Sequence, residues 1–211
     1  ATDAIGAGTM PAERAYTIYR VAKLIACGGQ MLCLVRTASA HVVTFDIDLP
    51  FGPDAAATLE IGRERVTGAL ERIDSRRGRI SFAEPIDVES LIADGSPLEG
   101  GRRTLPRVEI DAPVRIEVGD QSVAARLCDI STDGMKICTD DILCVGDRVR
   151  VALRGLDSRL AGTVRWCAGD YAGIEFAQAF PLARLNVWLA AQLGSSSRDE
   201  SRWSLPPVSK S

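Results

Sequence analysis

Residues 112–131 read APVRIEVGDQSVAARLCDIS, and their pattern indicates the class of fold. Val114, Ile116 and Val118 alternate with other residues, which is the period-two pattern of a strand buried on one face. A Gly-Asp turn at 119–120 follows the alternation, and a second apolar run begins after it. The stretch therefore predicts two short strands joined by a tight turn.

Similar signals continue towards the end of the chain. Alternation at 149–153, and at Val164 and Trp166, indicates further half-buried strands. Short strands at this spacing are typical of an antiparallel barrel or sandwich. Pro181 then suits a first helical position, and Gly194 ends the pattern that follows it. The apolar residues at helical spacing between them are Leu182, Leu185, Trp188, Leu189 and Leu193. The second half is predicted to be a small barrel with one amphipathic helix.

The first half of the chain repeats this pattern. Residues 20–39, RVAKLIACGGQMLCLVRTAS, match the apolar positions and the glycine turn of 112–131 at an offset of 92. An offset of 94 then aligns Gly68 with Gly162 and Phe82 with Phe176. Because the offset is nearly constant, we interpret the chain as two copies of one fold.

Composition marks where the copies begin and end. The loop-like stretch DGSPLEGG at 94–101 interrupts the apolar patterns, and small or polar residues dominate both ends of the chain. The predicted regions are a flexible tail at 1–14, a first barrel at 15–94, a linker at 95–101, a second barrel at 102–193 and a flexible tail at 194–211.

Composition and charge exclude several classes of protein. The 211 residues are 46% hydrophobic and 25% charged, as in an ordinary globular protein. No apolar run approaches the roughly 18 residues of a membrane span. The net charge of -3 argues against a general DNA, RNA or anionic-membrane binder, because such proteins need a broad basic field. Without a visible targeting signal, we expect a cytoplasmic protein.

The six cysteines and the single histidine offer little chemistry. No Cys-x-x-Cys pair occurs, and His41 has no second histidine to work with, so a metal site is not expected. We predict that the thiols are reduced and behave as small buried hydrophobes. With no constellation of nucleophile and base, an enzyme is disfavoured.

Three arginines form a local basic motif directly after the predicted linker. Arg102, Arg103 and Arg107 lie just before a strand, in a chain that is acidic overall. Flexible arginines ahead of a strand can close over an anionic ligand. Guanidinium suits this task because its planar group of N–H donors can fork onto the oxygens of an anionic group.

A second motif lies at the predicted end of a strand. Asp129 and Ser131 supply acceptors and a hydroxyl, and Gly134 is expected to permit a positive φ. A Trp at position 166, on an alternating strand, has two interpretations, either packing at the core or rim, or facing a ligand.

Together these motifs and the Gly162–Trp166 strand resemble the PilZ domain family over roughly residues 102–190. The resemblance implies a six-stranded antiparallel β-barrel that binds cyclic di-GMP, a bacterial second messenger, and does no chemistry on it. The predicted fold class is therefore all-β with a C-terminal helix, as two such barrels in tandem. No cofactor is implied, and cyclic di-GMP is the expected ligand.

The resemblance also implies roles for the motif residues. Arg103 and Arg107 would grip a phosphate and the outer guanine edge, and Asp129 would accept from guanine N1 and N2. Ser131 would bond nearby, and Gly134 would admit the base closely. In relatives, an extra arginine just before the motif accompanies an intercalated dimer of the nucleotide, and Arg102 holds that place here.

The first copy departs from the family pattern. The equivalents of Arg103, Arg107, Asp129 and Gly134 are Pro11, Ala15, Thr37 and Val42, and only Ser39 matches its counterpart. We expect this copy not to bind the nucleotide. Its role stays open between stabilising the second copy, forming an oligomer surface and moving when ligand binds.

The predicted function is that of a cyclic di-GMP receptor or adaptor, which changes the arrangement of its two barrels to regulate an unidentified effector protein. A structural or protein-interaction module that binds no nucleotide is the alternative. The sequence leaves a homodimer open.

Overall fold

The computed structural model describes residues 14–26, 29–47, 55–93 and 105–195. In these ranges the chain forms twelve strands and two helices. They are β1 (Tyr16–Ala26), β2 (Gly29–Ala38), β3 (Val42–Asp46), β4 (Ala55–Ile61), β5 (Glu64–Arg72), β6 (Arg77–Ser81), α1 (Val88–Ala93), β7 (Val108–Val118), β8 (Gln121–Ile130), β9 (Gly134–Cys138), β10 (Arg148–Leu153), β11 (Leu160–Ala168), β12 (Tyr171–Phe176) and α2 (Leu182–Ser195).

Each set of six strands closes into an antiparallel barrel. The first barrel has the order β1-β2-β3-β6-β5-β4, and the second has the same order in its own strands, β7-β8-β9-β12-β11-β10. Closure leaves no free edge of the kind that promotes aggregation. The predicted fold class of two six-stranded antiparallel barrels with a C-terminal helix is confirmed. The short helix α1, which ends the first copy, was not predicted.

Alternating side chains fill both barrels. In β7, Val114 and Ile116 are buried while Arg115 between them is exposed, as the sequence alternation predicts. Each barrel has its own apolar cluster, which includes Phe45 and Leu70 in the first barrel. Burial of these side chains is the main stabilising contribution to each barrel.

The duplication extends to irregularities in the strands. A β-bulge interrupts the β1–β2 register between Thr17 and Arg20, and its counterpart interrupts the β7–β8 register between Glu109 and Ala112, 92 positions later. A second pair of bulges lies in β2, between Val35 and Thr37, and at the equivalent place in β8. Since both copies carry them, these two bulges belong to the fold itself.

A further bulge occurs in the second barrel between Val164 and Trp166 of β11. The β5–β6 register of the first barrel, which corresponds to it, runs without a shift from Ala69 to Arg72. This irregularity therefore distinguishes the two copies.

The described ranges meet the predicted boundaries only in part. The first barrel and α1 lie within 15–94, and α2 extends to Ser195, two residues beyond the predicted end of the second barrel. The N-terminal tail (apart from residue 14), the linker and most of the C-terminal tail lie outside the described residues. The exact boundaries stay predictions.

The prediction of buried thiols is wrong for most of the described cysteines. Cys33 is buried, but Cys144 and Cys167 are exposed and Cys128 and Cys138 are intermediate. Cys144 lies in a loop where the strand pattern gives no direction, and Cys167 lies near the end of β11. The five described cysteines are free thiols, and Cys27 lies outside the described residues.

Candidate functional site

The arginine motif leads directly into β7. Arg107 is the last residue before this strand, whereas Arg102 and Arg103 lie outside the described residues. The guanidinium Nη1 of Arg107 donates to Oδ1 of Asp129, and the two side chains form an ion pair. They are 21% and 19% exposed, so the pair is shielded from water on most sides. The structure thus brings the two predicted motifs together.

The β8 bulge determines where Asp129 points. Leu127 and Ile130 are both fully buried, although they are three positions apart, because the extra residue Cys128 shifts the register between them. Asp129 consequently pairs with Lys136 on the outer face, where regular alternation from Leu127 would have pointed it into the core. Bulges commonly redirect side chains in this way beside functional sites.

The bulge residue itself is a cysteine, and its surroundings affect the pKa of its thiol. Partial burial raises the pKa of the Cys128 thiol, and nearby Lys136 opposes this rise. A thiol with a raised pKa holds little thiolate at neutral pH, so Cys128 is a poor nucleophile.

Ser131 closes the turn that follows β8. Its backbone N–H donates to the carbonyl of Gly134 at 2.8 Å, its hydroxyl donates to the same carbonyl at 3.2 Å, and it accepts from the N–H of Asp133 at 3.3 Å. Ser39 makes the same two bonds to the carbonyl of Val42, at 2.8 and 3.3 Å. Because the first copy, whose sequence departs from the family pattern, keeps this turn, the serine has a structural role in both. Contact of Ser131 with ligand stays a prediction.

Gly134 is required for a different reason from the one predicted. It is not among the described glycines with positive φ. A Cβ atom at this position would instead lie 2.3 Å from the carbonyl oxygen of Ile174. The expected positive φ is wrong, and the constraint is the close approach of β9 to β12. That approach is a sheet contact, which the sequence did not reveal.

Trp166 lies flat against a glycine on the outer face of the barrel. The β11 bulge pairs Trp166 with Gly173, while Val164 stays in the core. A Cβ atom on Gly173 would lie 1.9 Å from the indole Nε1 and 2.3 Å from Cε2, so only glycine leaves room for the ring. The sequence alternation wrongly placed Val164 and Trp166 on the same face. An indole on a glycine is a flat, half-exposed platform.

Arg107 and Trp166 line one cleft of about 350 Å³. Its other lining residues are Asp133, Met135, Arg165, Gly173, Ile174 and Glu175. Arg165 and Glu175 form an exposed ion pair at the cleft. The volume falls in the range of roughly 300–1,000 Å³ that is typical of small-molecule sites. Asp129 reaches the cleft through its pair with Arg107.

A larger cleft of about 540 Å³ lies on the outer face of β7, β10 and β11. Glu117, Arg148 and Arg150 line it, together with parts of β11. None of the predicted site residues in the described part of the chain belongs to it. The candidate site is therefore the smaller cleft, which Arg107 and Trp166 line and which Asp129 adjoins through its ion pair with Arg107.

The match to a family model decides the identity of the second barrel. Residues 101–186 match the model of the PilZ domain, which covers all six strands of that barrel and the beginning of α2. Residues 101–186 are a PilZ domain. A comparison of the whole sequence with curated proteins gives no match.

The solved structures to which the chain is similar include three bacterial proteins. The chain is 11% identical to PlzA of Borreliella burgdorferi in complex with c-di-GMP, covering 82% of this chain and 87% of that one, with a TM-score of 0.41. The chain is 11% identical to the inhibitor of motility (MotI/DgrA) of Bacillus subtilis, covering 88% of this chain and 100% of that one, with a TM-score of 0.35. It is 16% identical to YcgR of Escherichia coli in complex with c-di-GMP, covering 85% of this chain and 84% of that one, with a TM-score of 0.32. These scores are too low to add to the family match.

The first barrel has neither the ion pair nor the glycine beneath an aromatic ring that the PilZ domain has at its cleft. Ala15 stands where the PilZ domain has Arg107, and the hydroxyl of Thr37, in place of Asp129, shares a hydrogen bond with Thr44 at 2.6 Å. Arg79 stands where Gly173 would be, and it pairs with Glu71. The platform and the ion pair are thus both specific to the PilZ domain.

Sequence reasoning missed Gly173 and Met135, which complete the cleft. Gly173 carries no motif of its own, and its importance appears only when the β11 bulge turns Trp166 onto it. Among the described residues, no group of three or more His, Cys, Asp or Glu side chains is placed to hold a metal ion. No helix in the described ranges is long and apolar enough to cross a membrane.

Proposed function

We propose that the PilZ domain binds cyclic di-GMP in the cleft between Arg107 and Trp166, and that the protein acts as a receptor or adaptor. The observation that carries the proposal is the Arg107–Asp129 ion pair, which lies beside the Trp166 platform within the region that matches the family. The arrangement offers a cation, a carboxylate and a flat aromatic surface to one ligand.

These three groups correspond to the chemistry of the nucleotide. Arg107 can fork onto a phosphate or onto guanine O6 and N7. Asp129 can accept from guanine N–H donors through its second carboxylate oxygen, Oδ2, while Oδ1 holds Arg107. Trp166 can stack on a base, and stacking of this kind contributes about 1–3 kcal/mol per base. Arg102 and Arg103, which directly precede this cleft in sequence, would add further phosphate contacts.

Arg102 supports a stoichiometry of two nucleotides per chain, bound as an intercalated pair. Each molecule of cyclic di-GMP carries two phosphates, so a pair brings four negative charges to the site. A third arginine beside Arg103 and Arg107 increases the cationic charge available to offset them. Titration should then saturate near two nucleotides per chain, and near one in Arg102→Leu.

The role we propose is regulation without catalysis. Binding of ligand by the arginine segment at 102–107 changes the surface that the two barrels present to an effector protein. The overall net charge of -3 makes DNA or RNA an unsuitable partner. We place the protein in the cytoplasm, where a bacterial second messenger acts. The same surface could serve in a homodimer, which the proposal does not require.

Calorimetric titration with cyclic di-GMP tests the proposal. Arg107→Ala should weaken affinity about ten- to a hundredfold, because a charge-assisted hydrogen bond contributes about 1.5–3 kcal/mol. Arg126→Ala is the matched control, since Arg126 pairs with Asp111 between the same two strands but outside the cleft. Its affinity should equal that of the wild type.

Two outcomes would contradict the proposal. Absence of binding by the wild-type protein would remove the function altogether. Equal losses in Arg107→Ala and Arg126→Ala would show a general charge effect and would remove the assignment of the site.

A further inference from the structure

The beginning of β7 is only partly covered by its own barrel. β10 pairs with β7 from Val114 to Val118, so the first half of β7 extends beyond this pairing. There the backbone N–H of Glu109 donates to Oε1 of Gln30 at 3.1 Å. Gln30 belongs to β2, so a residue of the first barrel holds the strand that begins directly after Arg107.

A buried amide fixes β2 in this place. Asn186 of α2 is only 1% exposed, and its side chain makes two hydrogen bonds to the backbone of Leu32. Oδ1 accepts from the N–H of Leu32 at 3.2 Å, and Nδ2 donates to the carbonyl at 2.7 Å. The β2–β3 register begins only at Leu34, so Leu32 lies outside that pairing. Asn186 therefore takes the place of a strand partner.

Apolar packing accompanies the amide. Leu32 is fully buried, and its side chain belongs to the apolar cluster of the PilZ domain although the residue lies in the first barrel. Val21 of β1 packs against the same cluster. Two apolar side chains of the first barrel thus complete the core of the second.

The asparagine occurs in the second copy and not at the equivalent position of the first. Leu185 in α2 and Leu91 in α1 are equivalent buried residues, so the counterpart of Asn186 is Ile92. Ile92 is 40% exposed, and its side chain has no amide group. The buried amide is therefore not a general feature of this fold.

The contact lies close to the ligand-binding residues. Glu109 is two residues after Arg107 and is directly opposite Asp129 in the β7–β8 register. A shift of the first residues of β7 would move both members of the Arg107–Asp129 pair. Holding this backbone in place pre-organises the site, which reduces the ordering cost of binding.

We propose that the first barrel, which lacks ligand residues of its own, braces the nucleotide site, and that Gln30 and Asn186 are positioning residues for it. The inference rests on the proposed function, because the braced strand carries Arg107. The first copy would thereby stabilise the second, which is one of the roles that its sequence leaves open.

Affinity for cyclic di-GMP in the full chain tests the brace. Gln30→Ala should weaken affinity about two- to tenfold, since it removes one ordinary hydrogen bond to the strand. Asn186→Ala should weaken it by about tenfold. Gln121→Ala and Val187→Ala are matched controls, because one is an exposed glutamine at the start of β8 and the other is the exposed neighbour of Asn186. Both controls should bind as the wild type does.

A double-mutant cycle separates positioning from general stability. In the Arg107→Ala background, Gln30→Ala should cause a smaller fold-change than in the wild type, because the strand no longer positions that arginine. Amide exchange at Glu109 should become faster in Gln30→Ala, whereas the unfolding midpoint should stay the same.

The outcomes distinguish this inference from the function on which it rests. No binding by the wild-type protein would overturn both. Binding by the wild type with unchanged affinity in both Gln30→Ala and Asn186→Ala would overturn the brace alone. Equal fold-changes for Gln30→Ala with and without Arg107 would also overturn it.

Discussion

Among single residues, Trp166 has the setting that is most specific to the PilZ domain. Its ring lies on Gly173 at the cleft, and the first copy has Arg79 in the place of that glycine. The half-exposed ring of Trp166 leaves part of its apolar surface in contact with water. A stacked base would cover that surface.

We predict that Trp166→Ala weakens binding of cyclic di-GMP by about five- to a hundredfold, the equivalent of one lost base stack. Trp166→Phe keeps an aromatic ring and should lose less. Gly173→Ala should resemble Trp166→Ala, because its Cβ displaces the indole ring. Calorimetry measures all three, and equal affinity of Trp166→Ala and the wild type would show that the ring does not contact the ligand.

At the level of elements, the strands that could be predicted are those whose alternation is local. The hairpin at 112–131, the helix after Pro181 and the tandem repeat all follow from spacing along the chain. The bulges could not be predicted, because one extra residue is recognised only against the register of a partner strand. For this reason the alternation pointed Trp166 to the wrong face, and Gly173 was missed.

Two equivalent glycines test the similarity of the barrels. A Cβ on Gly68 would lie 2.3 Å from the carbonyl oxygen of Ser81, and a Cβ on Gly162 would lie 2.6 Å from that of Glu175. Each alanine substitution should lower the free energy of unfolding by about 1–3 kcal/mol, because a neighbouring strand must move. Denaturant melts measure the change, with Ala161→Ser on the exposed face as the control. Full stability in either alanine variant would contradict the close approach.

At the level of the whole molecule, the two barrels share one stretch of core. Leu32 lies in β2 but packs in the apolar cluster of the PilZ domain, and Asn186 binds its backbone from α2. The sequence could not predict this contact, because Asn186 stands inside an apolar helical stripe with no signal of its own. Docking of two folded surfaces depends on tertiary geometry.

We predict that the wild-type protein unfolds in one transition and that Leu32→Ala separates it into two. Truncation of a buried leucine costs about 2–5 kcal/mol, and here the loss falls on the interface. The first barrel contains no tryptophan, whereas Trp166 and Trp188 lie in β11 and α2. Changes in tryptophan fluorescence therefore report on the second half of the chain, and far-UV circular dichroism reports on both barrels. Ile73→Ala, at an exposed residue, is the control. Coincident transitions in Leu32→Ala would contradict the shared core.

The position of Asn186 late in the described part of the chain also has a consequence for biosynthesis. Because α1 ends at Ala93 and α2 begins at Leu182, the ribosome completes the first copy about ninety residues before α2. Domains generally fold in the order in which they emerge. Until α2 is complete, the backbone of Leu32 and the apolar side chains beside it have no partner. The nascent chain therefore exposes apolar side chains and unpaired backbone groups for the time needed to translate an entire barrel. That interval is when a chaperone would be needed most.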